Sequence, residues 1–232
     1  MTSGSGLALG GLVPFSTVDF PGRLAAVLFT QGCPLRCRYC HNPHLRGRTP
    51  AQARDWATTV AWLKRRTGLL DAVVFSGGEP TIQPGLADAL AEVRALGFAT
   101  GLHSAGTHPR RLAQALKLLD WVGLDVKAPF DRYAAVTGSA GSGARARRAL
   151  ESVLASGSSY EVRTTVHAAL LGAADLLAIA EELQARWVRR WVLQVFRPIG
   201  CVDAALLTPS GPRWLESVLP SLRSLVPDIV VR

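Results

Sequence analysis

Long apolar runs are missing from this chain of 232 residues. No uninterrupted stretch approaches the roughly 20 residues that a membrane-crossing helix needs, so a membrane span is not expected. The N-terminal Met1-Thr2-Ser3-Gly4-Ser5-Gly6 has neither a basic start nor an apolar segment, and no secretory leader is expected. Cysteine is scarce, at four residues, and three of the four are clustered. That excludes a disulfide framework and fits a reducing, cytoplasmic setting in which thiols stay available for metal. The chain also lacks a Ser/His/Asp triad, a Walker phosphate loop and a pair of carboxylates placed for acid/base work. Aromatic residues make up only 7% and rarely interleave with basic ones, so a nucleic-acid partner is not expected despite a formal net charge of +9. The basic residues are dispersed: Arg36 to Arg48, Lys64-Arg65-Arg66, Arg110-Arg111, Arg145 to Arg148, Arg186 to Arg190. Several fall at expected helix ends, where cations are favoured. A solvated basic face, or docking on an acidic protein, follows from that pattern.

What is present reads as a globular α/β protein, with 48% hydrophobic and 19% charged residues. Residues 1–11 are Gly- and Ser-rich and are expected to be mobile, leaving 12–232 as a single domain. Leu12 to Gly22 suits a short ribbon or turn leading into a first core strand near 23–30. Strand-like and helix-like stretches then alternate about six times: strands at 71–75, 98–102, 121–126, 160–166 and 191–196, helices at 55–66, 86–96, 109–119, 144–156, 173–186 and 212–225, and a last short strand at 228–231. Thr137 to Gly143 has little side-chain bulk and reads as a loop or lid. Such alternation predicts a parallel sheet with right-handed crossovers. Periodicity alone does not choose between a flat doubly wound sheet and an incomplete barrel, but either gathers ligands at the C-terminal ends of the strands.

The chemistry concentrates in Cys33-Pro34-Leu35-Arg36-Cys37-Arg38-Tyr39-Cys40, three thiols spaced C-x3-C-x2-C just after the first core strand and the turn-forming Gln31-Gly32. A loop leaving a strand can wrap an inorganic cluster because its backbone is not committed to a ladder. Three thiolates on a [4Fe–4S] cube leave one iron open to bind and activate a small molecule. A Cys3His zinc site completed by His41 or His44 is the alternative on spacing alone. The asymmetric spacing, Tyr39 before the last Cys and the upstream strand favour the cluster.

Further candidates sit at the ends of the other strands. Ser76-Gly77-Gly78-Glu79-Pro80 offers two glycines that would let backbone approach a ligand with exposed amides, and a Glu79 that could take a cationic amine. His103-Ser104-Ala105-Gly106 offers a hydroxyl on Ser104. Asp125 and Lys127, two apart at a strand end, lie on one side and can form a charged pair aimed at one ligand. Arg163, Thr165 and His167 alternate onto one side of the fifth strand. Arg163 could meet a carboxylate, while His167 reads as structural. Arg197 ends the sixth strand, and Cys201 has no companion.

Cys33-x3-Cys37-x2-Cys40 resembles the signature of the radical S-adenosylmethionine (SAM) enzymes. The wider runs Ser16-Thr17-Val18-Asp19-Phe20-Pro21-Gly22, Phe29-Thr30-Gln31-Gly32-Cys33 and Tyr39-Cys40-His41-Asn42-Pro43 are similar to the activating enzymes of glycyl radical proteins, and most of all to the anaerobic ribonucleoside-triphosphate reductase activators. The resemblance implies a partial (β/α)6 barrel, open on one side, with a [4Fe–4S] cluster on Cys33, Cys37 and Cys40 and SAM on its open iron. It implies SAM contacts from Tyr39 (adenine), His41, Gly77, Gly78 and Glu79 (amino group), Ser104 (carboxylate), Asp125, Lys127, Arg163 and Arg197. Related activators carry an acid where this chain has His103, and some carry a histidine near the ribose where it has Arg197. No side chain is expected to act as a catalytic group. The cluster and SAM would generate a 5′-deoxyadenosyl radical that takes a hydrogen from a glycine Cα. The implied partner is a glycyl radical enzyme, an anaerobic ribonucleotide reductase, with a flavodoxin or ferredoxin as electron donor. A radical SAM enzyme acting on a small molecule, and a zinc-binding module, are the competing readings.

Overall fold

The computed structural model describes residues 6–47, 54–208 and 213–232. The first five residues, the stretch 48–50 at the end of the cysteine loop's basic continuation and Pro212 lie outside them. Eight strands form one sheet in simple sequential order: β1 (Leu9–Ser16), β2 (Ala25–Thr30), β3 (Ala72–Gly77), β4 (Ala99–Ser104), β5 (Trp121–Asp125), β6 (Ser159–Val166), β7 (Arg190–Val195) and β8 (Asp228–Val231). β1 runs antiparallel to β2, and every later pair is parallel. Among the described residues seven α-helices connect them: α1 (Trp56–Lys64), α2 (Leu86–Ala95), α3 (Pro109–Leu116), α4 (Tyr133–Thr137), α5 (Ser142–Ala155), α6 (Ala173–Gln184) and α7 (Arg213–Leu225). The fold is therefore α/β, with seven consecutive parallel strands, β2–β8, the first six of them the expected barrel staves.

The helices form where apolar residues recur at helical spacing. In α2 the buried residues are Leu86, Ala89, Leu90 and Val93, and in α6 they include Leu176, Ile179, Ala180 and Leu183, an i, i+3, i+4, i+7 stripe in each. Asp55 starts α1 by accepting from the Thr58 amide at 2.8 Å. These stripes cover one face of the sheet and form the main core with Phe75, Leu102, Leu124 and Trp191. The other face lines the inside of the curved sheet. There Val27 pairs with Val74, Val74 with Gly101 and Gly101 with Trp121. Small residues on this face make room for large ones. A Cβ on Gly101 would press on Phe20 at 3.0 Å, and Phe20 packs on Trp121 at 5.4 Å, so this pair fills the floor of the cup. The strand ends above that floor stay free for polar side chains.

Two expectations move. The N-terminal boundary was expected at residue 12, but β1 begins at Leu9, and Leu7 and Leu9 are buried. The stretch 137–143 is not a lid. Thr137 ends α4 and Ser142 opens α5, leaving only a tight turn at 138–141. Gly138 and Gly141 take φ of +60° and +67°, a conformation that glycine adopts without a Cβ clash. Thr137 and Ser142 are buried and share a hydrogen bond of 2.8 Å. Low side-chain bulk here serves close packing rather than mobility: a Cβ on Gly143 would run into the Phe130 carbonyl.

α6 ends in a Schellman arrangement, with the Val188 amide donating to Leu183 at 3.1 Å and the Trp187 amide to Gln184 at 2.9 Å. The left-handed position falls on Trp187, at φ +57°, with its side chain 87% exposed. A left-handed backbone costs an L-residue with a bulky side chain about 1–2 kcal/mol. Trp187→Gly is expected to stabilise the protein by about 1 kcal/mol in urea unfolding, and a loss of stability would contradict this account of the turn.

Candidate functional site

The cysteine loop leaves β2 at Thr30, and its backbone is tied on three sides. The Gly32 and Cys33 amides donate to Leu45 and Arg46 at 2.7 and 3.1 Å, those of Arg36 and Arg38 to Thr137 and Val136 at 2.7 and 3.3 Å, and that of Cys40 to Cys37 at 3.2 Å. Arg38 pairs with Asp203 at 2.7 Å. Gly200, at φ +77°, sits so close to the His41 carbonyl that no Cβ would fit.

Cys33, Cys37 and Cys40 carry free thiols and line one cavity of about 580 Å3 over the strand ends. Tyr39, His41, Gly77, Gly78, Ser104, Asp125, Lys127, Arg163 and Arg197 line the same cavity. Of the residues read as site candidates only Glu79 is absent from the wall. It is 1% exposed. Its Oε1 accepts from the Thr81 amide and hydroxyl at 3.1 and 2.5 Å and from Ser104 Oγ at 2.7 Å, and its Oε2 from the Ala105 amide at 2.8 Å. That carboxylate ties the loop after β3 to the loop after β4.

The Gly78 amide donates to Thr30 and the Glu79 amide to Gly32, each at 2.8 Å, so these amides are not exposed to a ligand. A Cβ on Gly77 or Gly78 would strike the backbone of Thr30 or Gly32. The two glycines let the end of β3 abut the turn before Cys33, which fixes where the thiols stand.

Charge in the cavity centres on Asp125. Lys127 Nζ reaches its Oδ2 at 2.9 Å, and Arg163 reaches its Oδ1 at 3.0 Å from Nε and 2.9 Å from Nη2. Gly123 makes this possible, because a Cβ there would lie 2.7 Å from the Arg163 guanidinium. Burial opposes ionisation of Asp125, but Lys127 and then Arg163 outweigh it and hold the carboxyl down at about 2. Burial also works against the Lys127 charge, and Asp125 more than offsets it, leaving the ammonium pKa well above its usual value. Lys127 lies 5.4 Å above the Tyr39 ring, and the Tyr133 hydroxyl accepts from the Lys127 amide and donates to the Asp125 carbonyl, each at 3.0 Å.

His103 stands on the cavity wall where an acid was expected from the resemblance. Its Nε2 lies 2.8 Å from the Asp19 carbonyl, so Nε2 carries the proton and Nδ1 accepts from Ser76 Oγ at 3.4 Å. Burial, aided by Arg163, lowers its pKa to about 3, so the ring is neutral at neutral pH and its 3.9 Å approach to the Asp19 carboxylate is not an ion pair. His41 stacks on Phe196 at 5.5 Å and engages the Arg197 carbonyl at 2.8 Å through Nε2. His167 is buried, sits 3.1 Å from the Thr208 carbonyl, accepts from the Ala169 amide and packs edge-on to Phe196. The Cys201 thiol contacts the Arg38 carbonyl at 3.4 Å. The cavity also contains Val18, Asp19, Phe29, Gln194 and Arg232, none of them singled out from sequence. Asp19 and Phe29 lie inside runs that carry the resemblance, so a signal for them existed. Arg232 had none: it reaches past β7 to grip Glu161 of β6 with both guanidinium nitrogens at 3.2 Å, a contact made only by the folded sheet.

The donor set fits a cluster better than a lone ion. Among the described residues no three His, Cys, Asp or Glu side chains converge on a point that a single ion could occupy, whereas the three thiols share a roomy cavity. Burial raises the Cys37 thiol and, with Glu79 adding to it, lifts Cys33 to about 12, so both are held as thiols until a metal claims the sulfur. The Tyr39 hydroxyl is buried with no partner among the described residues, a cost of about 1–3 kcal/mol.

A family profile described as the Radical SAM superfamily matches residues 27–182. A protein of Methanocaldococcus jannaschii, provisionally described as a glycyl-radical enzyme activating enzyme, is 37% identical over 134 residues, covering 53% of this chain and 51% of that one. The pyruvate formate-lyase-activating enzyme of Clostridium pasteurianum is 37% identical over 129 residues, covering 52% and 53%. The chain thus spans about half the length of the curated relatives it matches. Among solved structures, Streptococcus suis SuiB bound to S-adenosylmethionine superposes with a TM-score of 0.68 at 12% identity, over 87% of this chain and 48% of that one, which is a likeness of fold.

Asp125→Asn leaves Lys127 and Arg163 buried beside a neutral partner and is expected to cost about 3–5 kcal/mol in urea unfolding at pH 7. Because the carboxyl pKa lies below its usual 3.8, the stability that Asp125 contributes is complete above about pH 4 and is lost as pH falls towards 2. The variant should lose that segment of the acid-unfolding profile, and an unchanged profile would show that Asp125 does not hold the two cations.

Proposed function

This chain belongs to the radical SAM superfamily, and from that membership we propose that it activates a glycyl radical enzyme, with an anaerobic ribonucleotide reductase as the partner. The observation that carries the proposal is the convergence of three free thiols and the Lys127–Asp125–Arg163 array on one cavity at the C-terminal mouth of the sheet. The names of the relatives in Methanocaldococcus jannaschii and Clostridium pasteurianum support the activating role. The runs from Ser16 to Gly22 and Tyr39 to Pro43 support the reductase as partner.

Cys33, Cys37 and Cys40 would hold a [4Fe–4S] cluster. When bound, that cluster with SAM supplies one-electron cleavage of SAM to methionine and a 5′-deoxyadenosyl radical able to take a glycine Cα hydrogen. The chain's own part is to bind, orient and shield. Arg163 and Lys127, fixed by Asp125, present positive charge to the carboxylate of SAM. Tyr39 offers a ring face walled by Lys127. Ser104, pinned by Glu79, supplies a hydroxyl. His103, neutral and anchored to Asp19, closes the wall next to Arg163 without adding charge. Glu79 acts as a positioning residue, setting the loops after β3 and β4 rather than touching the ligand.

The reading is tested by anaerobic reconstitution with iron and sulfide, then incubation with SAM, a reductant and the anaerobic ribonucleotide reductase, followed by electron paramagnetic resonance. A glycyl radical doublet on the reductase is the expected result. Methionine release without a radical on any glycyl radical enzyme would overturn the activating role. Cys37→Ala should abolish iron uptake and SAM cleavage together, with SAM cleavage reduced by at least about 1000-fold, equivalent to roughly 4 kcal/mol. A variant that still cleaves SAM would remove Cys37 from the ligand set.

A further inference from the structure

A second cavity, of about 790 Å3, shares a wall with the thiol site. Cys33 and Leu35 line the first cavity, and Pro34 between them lines the second. The rest of the lining comes from the start of α3 and from α5: Thr107, His108, Pro109, Arg110, Arg111, Arg145 and Arg148. Four arginines therefore line one groove that no carboxylate lines. Two of them are spoken for. Arg111 donates to the Ile82 carbonyl at 2.5 Å, and Arg145 donates to Ser139 Oγ and the Ala140 carbonyl at 3.2 and 3.1 Å. Arg110 and Arg148 are exposed, and their guanidinium groups have no hydrogen-bond or ion-pair partner among the described residues. Burial and the neighbouring Arg111 lower the His108 pKa, so the groove's charge comes from its arginines.

We propose that this Arg110–Arg148 groove is the docking site of an acidic one-electron carrier protein, which delivers its electron to the thiol site through the wall formed by Cys33 and Pro34. The proposal rests on the function given above, which needs one electron per SAM cleaved. In the transfer the carrier's reduced flavin or iron–sulfur centre loses one electron and the site held by Cys33, Cys37 and Cys40 gains it, with no proton moved. The first cavity must hold SAM and admit the substrate glycine, so the carrier needs a different approach to the same loop, and Pro34 marks one. Like charges left uncompensated on a surface cost stability and are retained where an anionic partner supplies the balance. A nucleotide is the poorer match, because apart from His108 the lining has no ring on which a base could stack.

The test uses the full chain, cluster-loaded and as apoprotein, with the double variant Arg110→Glu/Arg148→Glu. An acidic flavodoxin and an acidic ferredoxin serve as probes, each fluorescently labelled for binding and reduced for stopped-flow mixing. Wild-type protein should bind at least one carrier, with affinity falling as salt rises. The variant should bind that carrier at least tenfold more weakly and accept its electron at least tenfold more slowly, while dithionite reduces both proteins equally. Unchanged carrier binding and reduction in the variant would overturn the proposal. So would ATP binding to the wild type that the variant loses while both carriers remain unaffected, which would make the groove a nucleotide site. If wild-type protein takes up no cluster, the proposed function fails, whereas carrier binding to the apoprotein still decides the groove on its own.

Discussion

A loop that holds a metal group must leave its ladder and still satisfy its backbone, and the rest of the site depends on how this chain does so. The amides of Gly32, Cys33, Arg36, Arg38 and Cys40 find carbonyls in three separate places: the turn at Leu45–Arg46, the C-terminal end of α4 and the loop itself. Buried amides left without acceptors would each cost free energy comparable to a lost hydrogen bond. The three thiols are thus positioned by bonds that do not involve sulfur. Gly77 and Gly78 complete the arrangement by bringing β3 against Thr30 and Gly32, where any side chain would collide with backbone.

The second constraint is electrostatic. Lys127 and Arg163 are both buried, and neither would stay charged at low cost there without a carboxylate. Asp125 serves both, one oxygen each, and Gly123 clears the space for the guanidinium. A permanent dipole of this kind costs little reorganisation when an anionic group arrives. Across the cavity His103 is kept neutral by burial and by Arg163, so the ring adds no charge to the Asp125 array.

Much of this was legible in the residues. Apolar spacing located the expected strands and helices to within a few positions because the stripes of α2 and α6 and the buried strands β3 and β5 are strongly patterned. The side-by-side placement of Asp125 and Lys127 followed from strand geometry alone. The misreadings share a cause. Gly/Ser content at 137–143 suggested mobility, and Gly77-Gly78 suggested ligand approach, but glycine reports only that space is short, not what fills it. Here backbone fills it, from Phe130 in one case and from Thr30 and Gly32 in the other. The bonds of Glu79 were not legible for the complementary reason. Its partners Thr81, Ser104 and Ala105 include a strand end 25 residues away, a pairing that no local pattern announces. Arg232 and Asp19 reach the cavity through sheet register and through the fold of the segment before β2, both of which are tertiary facts.

The sheet ends in β1 on one side and β8 on the other, and among the described residues no ladder joins them. The vessel is therefore a trough with an unsewn seam rather than a closed tube. A tube can be entered by a polymer only end first, so it selects chain termini. A trough can take a bight from the middle of a long polymer sideways, and the strand that enters need not be cut, threaded or unfolded along its whole length.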